Sequence, residues 1–184
     1  PAFAVANGLD SGGVGLFMAL VVLGGAVGQW PAGRLSDKLD RRLVIVGLSL
    51  LAAVAGAALV MAARQRPDLL PVAGVAFGVC AIPMYALCAA HANDHVPAGQ
   101  FVQAAAGLLL ASALGAALGP LLASLVMARS GSASLFAFTA GVHLLLAAFV
   151  FYRTRRRAAP DAKAPFVAVP RTGVGALDPR AGKR

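Results

Sequence analysis

Residues 33–42 read G-R-L-S-D-K-L-D-R-R and contain four basic and two acidic side chains. The neighbouring stretches, residues 11–32 and 43–63, contain no charged side chain. A helix of about 20 apolar residues, at 1.5 Å per residue, crosses the ~30 Å hydrocarbon core of a bilayer. A short charged segment between two such stretches therefore predicts a connection between two membrane-spanning helices.

The composition points to the same class of protein. The 184 residues are 59% hydrophobic and only 12% charged, whereas a soluble domain carries about a quarter charged residues. We therefore predict an all-α, polytopic membrane protein whose main partner is the lipid bilayer. The net charge of +9 comes largely from basic residues near predicted helix ends and in the C-terminal tail, so no nucleic-acid partner is expected.

Five apolar spans are predicted, each bounded by charges or turn residues. They cover residues 14–32, 43–63, 69–90, 101–127 and 131–152. The first nine residues are interpreted as the end of an earlier helix, in which Gly8 is left-handed and Asp10 or Ser11 caps the next helix. The start at Pro1 suggests a piece of a longer chain. Residues 158–184 lack periodicity, which predicts a disordered basic tail.

Glycine spacing and proline predict how the helices pack and bend. Glycines four residues apart allow another helix to approach closely, and an internal proline kinks a helix. The residues concerned are Gly24, Gly28, Pro83, Gly115, Gly119 and Pro120. The span over residues 43–63 is apolar all round, which predicts that it faces lipid.

Lysine and arginine are more numerous at one end of the predicted spans than at the other. One end receives the charged stretch and the arginines after Tyr152, and the other receives only Arg64, Arg66 and Arg129. The positive-inside rule places the richer end, including the C-terminus, in the cytoplasm. The expected location is a bacterial inner membrane.

The charged stretch resembles the loop motif G-x-L-[AS]-D-[RK]-x-G-R-[RK] of the major facilitator superfamily. Gly33, Asp37, Lys38, Arg41 and Arg42 occupy their motif positions, together with Leu35 and Ser36. Asp40 departs from the pattern, because glycine is usual there. The resemblance implies a gating motif on the cytoplasmic side, in which Asp37 pairs with Arg41 and faces a helix N-terminus of the other half of the carrier. The alternative is a solvated loop that only sets topology.

Two further segments, H-A-N-D-H-V at 91–96 and G-L-L-L-A-S-A-L-G-A-A-L-G-P-L-L-A-S at 107–124, resemble the YcaD-like branch of that superfamily. The resemblance implies that residues 1–157 form helices eight to twelve and the end of helix seven. Their partner would be an N-terminal six-helix half outside this chain. In such bundles the first, second, fourth and fifth helices of each half line the path, and the third and sixth lie outside.

Several polar residues are left within or beside the spans. Gln29, Tyr85, Gln103 and Ser112 are available to line a path. His91, Asp94 and His95 have metal-ligand spacing on a helix, but Pro97 follows at once and a polar loop explains them, so no metal is predicted. His143 lies deep in a span, where a hydrogen-bonded neutral ring is favoured over a proton relay.

The predicted function is secondary active transport of a small solute by alternating access. The alternatives are an integral membrane enzyme and a non-transporting membrane scaffold or truncated fragment. No enzyme activity and no cofactor are predicted. Coupling to a proton gradient stays open. In that case the titrating carboxylate is expected outside this chain, because no Asp, Glu, Lys or Arg lies deep in the spans.

Overall fold

The computed structural model describes residues 2–97 and 99–156 of the chain. Within these residues all regular structure is helical, with the bounds α1 Ala2–Ala6, α2 Ser11–Lys38, α3 Arg41–Gln65, a 3-10 turn Pro67–Leu69, α4 Leu70–Ala81, α5 Met84–Asn93, α6 Phe101–Ser130 and α7 Ser134–Arg156. Five helical segments are long and apolar enough to cross a membrane, with α4 and α5 counted together. The predicted all-α, five-span architecture is thus confirmed. The predicted tail at 158–184 lies outside the described residues.

The start of α2 follows from local chemistry. Gly8 has φ 80°, a left-handed conformation that ends the short helix α1. Asp10 is the N-cap of α2, and its carboxylate accepts a 2.8 Å hydrogen bond from the backbone N–H of Gly13. Both features match the sequence prediction.

The charged stretch is helical over most of its length, which corrects the predicted loop. α2 continues through Pro31 and ends only at Lys38, and α3 begins at Arg41. Only Leu39 and Asp40 connect the two helices. Pro31 does not end the helix, because a membrane helix tolerates one lost backbone hydrogen bond when its surroundings compensate.

The third predicted span is divided into two helices. α4 ends at Ala81 and α5 begins at Met84, so the break falls at Ile82 and Pro83, where the sequence predicts a kink. By contrast, α6 continues as one helix through Pro120.

α3 is the most buried of the long helices, so the prediction that it faces lipid holds only for one side, where Leu51 and Val54 are exposed. It packs against α4, α5 and α7, and its buried side includes the small residues Ser49, Ala52 and Gly56. Small side chains let neighbouring backbones approach. Composition could not reveal this, since lipid tails and helix contacts are equally apolar.

Two apolar clusters hold α2, α3, α4, α5 and α7 together, and we call these five helices the packed block. One cluster lies at the end where α2 begins, and it contains Phe3, Phe17, Leu59, Leu70 and Phe136. The other lies where α2 ends, and it contains Ala32, Val44, Ile45, Met84, Leu87 and Val150. We call the second end the motif end, because residues 33–42 lie there, and the first the opposite end.

Candidate functional site

The connection between α2 and α3 is built around Asp40. Its backbone has φ −60° and ψ 117°, and its carboxylate accepts a 3.0 Å hydrogen bond from the N–H of Arg42 as the N-cap of α3. The guanidinium of Arg42 also contacts this carboxylate, at 2.8 Å. The position is therefore extended rather than left-handed, so the departure from glycine in the motif leaves this turn unstrained and adds a cap.

Arg41 is the centre of the charged cluster at the motif end. Its Nη1 lies 2.9 Å from both carboxylate oxygens of Asp94, and both side chains are only 1% exposed. Its Nη2 lies 3.4 Å from Asp37, whose side chain is 42% exposed. The guanidinium at the start of α3 thereby joins the end of α2 to the end of α5.

The two contacts of Arg41 differ in what they contribute. Removal of one member of a buried ion pair is strongly destabilising, because the other charge loses its partner in a region of low dielectric constant. In the other contact only the Asp37 carboxylate is open to water, which competes for that group and weakens the interaction. The Arg41–Asp94 pair is therefore a fixed part of the fold, and the longer Arg41–Asp37 contact is the weaker of the two.

Asp94 is a member of the charged cluster that the sequence does not link to the motif. The sequence indicates that it is part of a polar loop with His91 and His95, whereas both of its oxygens contact Arg41. Nδ1 of His95 lies 3.0 Å from the carbonyl oxygen of His91, on the same helix end. The signal that points to Asp94 is a lone carboxylate at the end of an apolar span, opposite the basic motif.

The other motif residues have separate roles. Gly33 is buried, and its carbonyl accepts a 2.9 Å hydrogen bond from the buried hydroxyl of Ser36. Lys38 is exposed in the last turn of α2. The Arg34 guanidinium lies 4.3 Å from the centroid of the exposed Trp30 ring. Lys38 and Arg34 thus lie at the surface, as the alternative of a solvated charged segment expects, and Asp37 is partly exposed beside them.

Gly24 and Gly28 lie where α2 crosses α4. A methyl group on Gly24 would come within 2.5 Å of the carbonyl oxygen of Val75, and one on Gly28 would meet that of Val79. Gly78 of α4 in turn faces the backbone of Val21. The two helices therefore touch backbone to backbone, which side chains larger than hydrogen would prevent.

Comparison with known proteins places the chain in a family. Residues 1–178 match the model of the Major Facilitator Superfamily. The chain belongs to this superfamily. It is 29% identical over 169 residues to an uncharacterized MFS-type transporter of Yersinia enterocolitica, a match that covers 92% of this chain and 42% of the relative.

A second relative is the uncharacterized MFS-type transporter YcaD of Salmonella paratyphi B, 30% identical over 145 residues, which are 79% of this chain and 37% of the relative. The chain thus spans about two fifths of the length of these relatives. No solved structure matches. Membership in this superfamily, together with the five apolar helices, indicates a multi-pass membrane protein.

Of the five membrane-spanning segments, α6 has the smallest buried fraction. Within the described part of the chain, Ala123 is its one buried residue. No atom beyond its own helix lies within 4 Å of a methyl group built on Gly115 or on Gly119. A row of exposed leucines follows the same helix, namely Leu110, Leu114, Leu118, Leu121 and Leu125. Gly115 and Gly119 therefore have the spacing that lets another helix approach closely, but no helix among the described residues lies against them.

The four polar residues selected for a path lie on three helices. Gln29 is half-buried on α2 and Tyr85 is half-buried on α5. On α6, Ser112 is half-buried and Gln103 is exposed. A shallow apolar cleft lies at the opposite end, lined by Leu9, Phe17 and Leu70 among others, so it includes none of the four.

His143 lies on α7 within the packed block. Its Nδ1 is 2.7 Å from the carbonyl oxygen of Thr139, one turn earlier. Its ring packs edge-on near Phe77, with 6.4 Å between centroids. This is the hydrogen-bonded arrangement that the sequence favours.

Proposed function

We propose that this chain is the C-terminal half of a secondary transporter that moves a small solute by alternating access. The observation that carries the proposal is the family match over residues 1–178. In such carriers two helical bundles rock against each other around a site near the bilayer midplane. The matched relatives are more than twice as long as this chain, which is consistent with a second bundle that completes the pathway.

The surface of α6 supports this division of the carrier. Its open glycines form a side that a second helix can approach closely, and its exposed leucines lie on the adjoining side, about 120° around the helix at 100° per residue. We place the N-terminal half of the carrier against the glycine side, with Ser112, which lies on that side, toward the path. Gln103 lies about 180° around the helix from Ser112, on the leucine side. The packed block then supports α6 from behind, through the contacts of α6 with α5 and α7.

The gate in this proposal is the exposed carboxylate of Asp37. Arg41 is held by the buried Asp94, so it presents its remaining Nη2 group to Asp37 from a fixed position. This 3.4 Å contact, with its half-exposed carboxylate, is the weaker of the two contacts of Arg41, and a carboxylate is also stabilised at a helix N-terminus. Asp37 would contact a helix N-terminus of the other half when the motif end is closed and release it when that end opens.

The same proposal orients the carrier in a bacterial inner membrane. The motif end carries Arg34, Lys38, Arg41, Arg42 and the arginines of α7, while the opposite end carries Arg64, Arg66 and Arg129. By the positive-inside rule the motif end is cytoplasmic. No cofactor is proposed. If a proton gradient drives transport, its titrating carboxylate belongs to the other half.

The test is solute uptake by the complete reading frame in proteoliposomes, first screened against solute classes and then compared among variants. Asp37→Asn keeps the size of the side chain and removes its charge, so we expect about a two- to fivefold fall in uptake with normal insertion. Asp68→Asn is the matched control, because Asp68 forms an exposed ion pair with Arg66 at the opposite end. Equal uptake by both variants would contradict the gate, and no uptake of any solute would contradict the transporter.

A further inference from the structure

The last two turns of α7 carry three pairs of an aromatic ring and an arginine four residues later. The guanidinium carbons of Arg155, Arg156 and Arg153 lie 4.8, 5.3 and 6.0 Å from the ring centroids of Phe151, Tyr152 and Phe149, respectively. Residues four apart share one side of a helix, and a cation within about 6 Å of an aromatic centroid is attracted to the ring. Each guanidinium is therefore held over a ring.

The pairs surround the outward side of the helix. Ala147 and Val150 form its buried side in these turns, whereas the rings of Phe149, Phe151 and Tyr152 are 60%, 46% and 57% exposed. At 100° per residue, Phe149 and Tyr152 lie on the side of the helix away from the buried residues, and Phe151 lies between the two sides. The same pairing occurs at the same end of α2, between Trp30 and Arg34.

The depth of the charges follows from helix geometry. Side chains on a helix lean toward its N-terminus, and the N-terminal direction of α7 leads from the motif end into the apolar span. The guanidinium groups therefore fold back onto the rings, at the level where aromatic belts meet lipid headgroups. A fully extended arginine at this helix end would instead reach outward into water.

These cations have no acidic counterpart among the described residues. The ion pairs within residues 2–97 and 99–156 involve Arg41, Arg42 and Arg66, none of them on α7. In the sequence, no Asp or Glu occurs between Asp94 and Asp161. The last turns of α7 thus present an excess of positive charge beside an apolar surface.

We propose that the motif end of α7 binds anionic phospholipid headgroups, with the rings positioning the guanidinium groups on the lipid phosphate. Arginine suits this role because its planar fork donates two hydrogen bonds to a phosphate. The net negative charge of the headgroup complements the unpaired cations, and the rings pack against the first acyl carbons. This site is independent of the proposed transport function.

The test is lipid binding by the 184-residue chain in neutral detergent, titrated with phosphatidylglycerol or phosphatidylcholine and followed by native mass spectrometry. We expect phosphatidylglycerol to bind at least about tenfold more tightly than phosphatidylcholine. The triple variant R153Q/R155Q/R156Q should bind phosphatidylglycerol at least about tenfold more weakly than the wild type, since each basic residue near an anionic surface contributes roughly fivefold to the affinity. The matched control R64Q/R66Q/R129Q, at the opposite end, should bind like the wild type.

A second variant separates the rings from the charge. F149L/F151L/Y152L keeps all three arginines, and we expect about threefold weaker binding of phosphatidylglycerol because the guanidinium groups are no longer held in place. Far-UV circular dichroism checks that each variant remains helical, and the single variant R155Q replaces any that does not. Wild-type affinity in the arginine variants, or in the leucine variant, would overturn the proposal.

Discussion

Two parts of the molecule carry glycines at the same four-residue spacing and use them differently. In the packed block, Gly24 and Gly28 bring α2 against the backbone of α4. On α6, Gly115 and Gly119 meet no atom of another helix in the described part of the chain. The spacing therefore indicates a helix surface that another helix can approach closely. It does not indicate which helix that is, or whether that helix belongs to the same chain.

The difference has a physical origin in the membrane. Helices in lipid associate through close packing and hydrogen bonds, since lipid tails are as apolar as leucine. The packed block gains such contacts internally and adds the buried Arg41–Asp94 pair. The open face of α6 can gain them only from a surface outside the described residues, which is the place we propose for the other half of the carrier.

The packed block should be most sensitive at its buried ion pair. Asp94→Asn leaves the guanidinium of Arg41, 1% exposed, without its closest carboxylate, so we expect a loss of about 3 kcal/mol in the free energy of unfolding. Reversible unfolding of the chain in mixed detergent micelles measures this loss. Asp68→Asn, in an exposed pair, should change it by less than about 1 kcal/mol. Similar small effects from both would show that the pair does not hold the block together.

The second-largest loss of stability is expected where glycines of α2 contact the backbone of α4. Gly28→Ala places a methyl group against the carbonyl oxygen of Val79, and backbone atoms cannot move aside as a flexible side chain would. We expect about 1–3 kcal/mol of destabilisation, the usual range for overpacking. The same unfolding measurement applies. A variant as stable as the wild type would mean that the two helices are not in backbone contact.

The matching substitution on α6 should have the smallest effect on this chain. Gly115→Ala meets open space, and alanine favours a helix by up to about 1 kcal/mol over glycine in soluble hosts. We therefore expect unchanged or slightly higher stability of the isolated chain. In the complete carrier the same variant should slow transport, because the proposed partner helix approaches there. Destabilisation of the isolated chain by Gly115→Ala would contradict the difference that we describe between α6 and the packed block.

Local chemistry in the sequence predicts much of this fold. The five spans, the left-handed Gly8, the cap at Asp10 and the break at Pro83 all follow from patterns within a few residues. The motif also identifies Asp37 and Arg41 as a pair, and the structure places them 3.4 Å apart.

What the sequence could not predict depends on contacts between distant residues. Arg41 and Asp94 are 53 positions apart, and no local pattern links them. The burial of α3 was unpredictable for a similar reason, because apolar surfaces look alike whether they meet lipid or a helix. The extension of α2 to Lys38 was obscured by Pro31 and by the density of charge, since both are typical of loops.

The proposed division of the carrier into two halves is tested by solute uptake into proteoliposomes that contain either the complete reading frame or only the 184-residue chain. Equal protein density and helical content in the two preparations provide the control. We predict uptake by the complete carrier and none above protein-free liposomes by the chain alone, whose α6 helix lacks its proposed partner. Specific, saturable uptake by the chain alone would contradict the claim that it supplies only one half of the pathway.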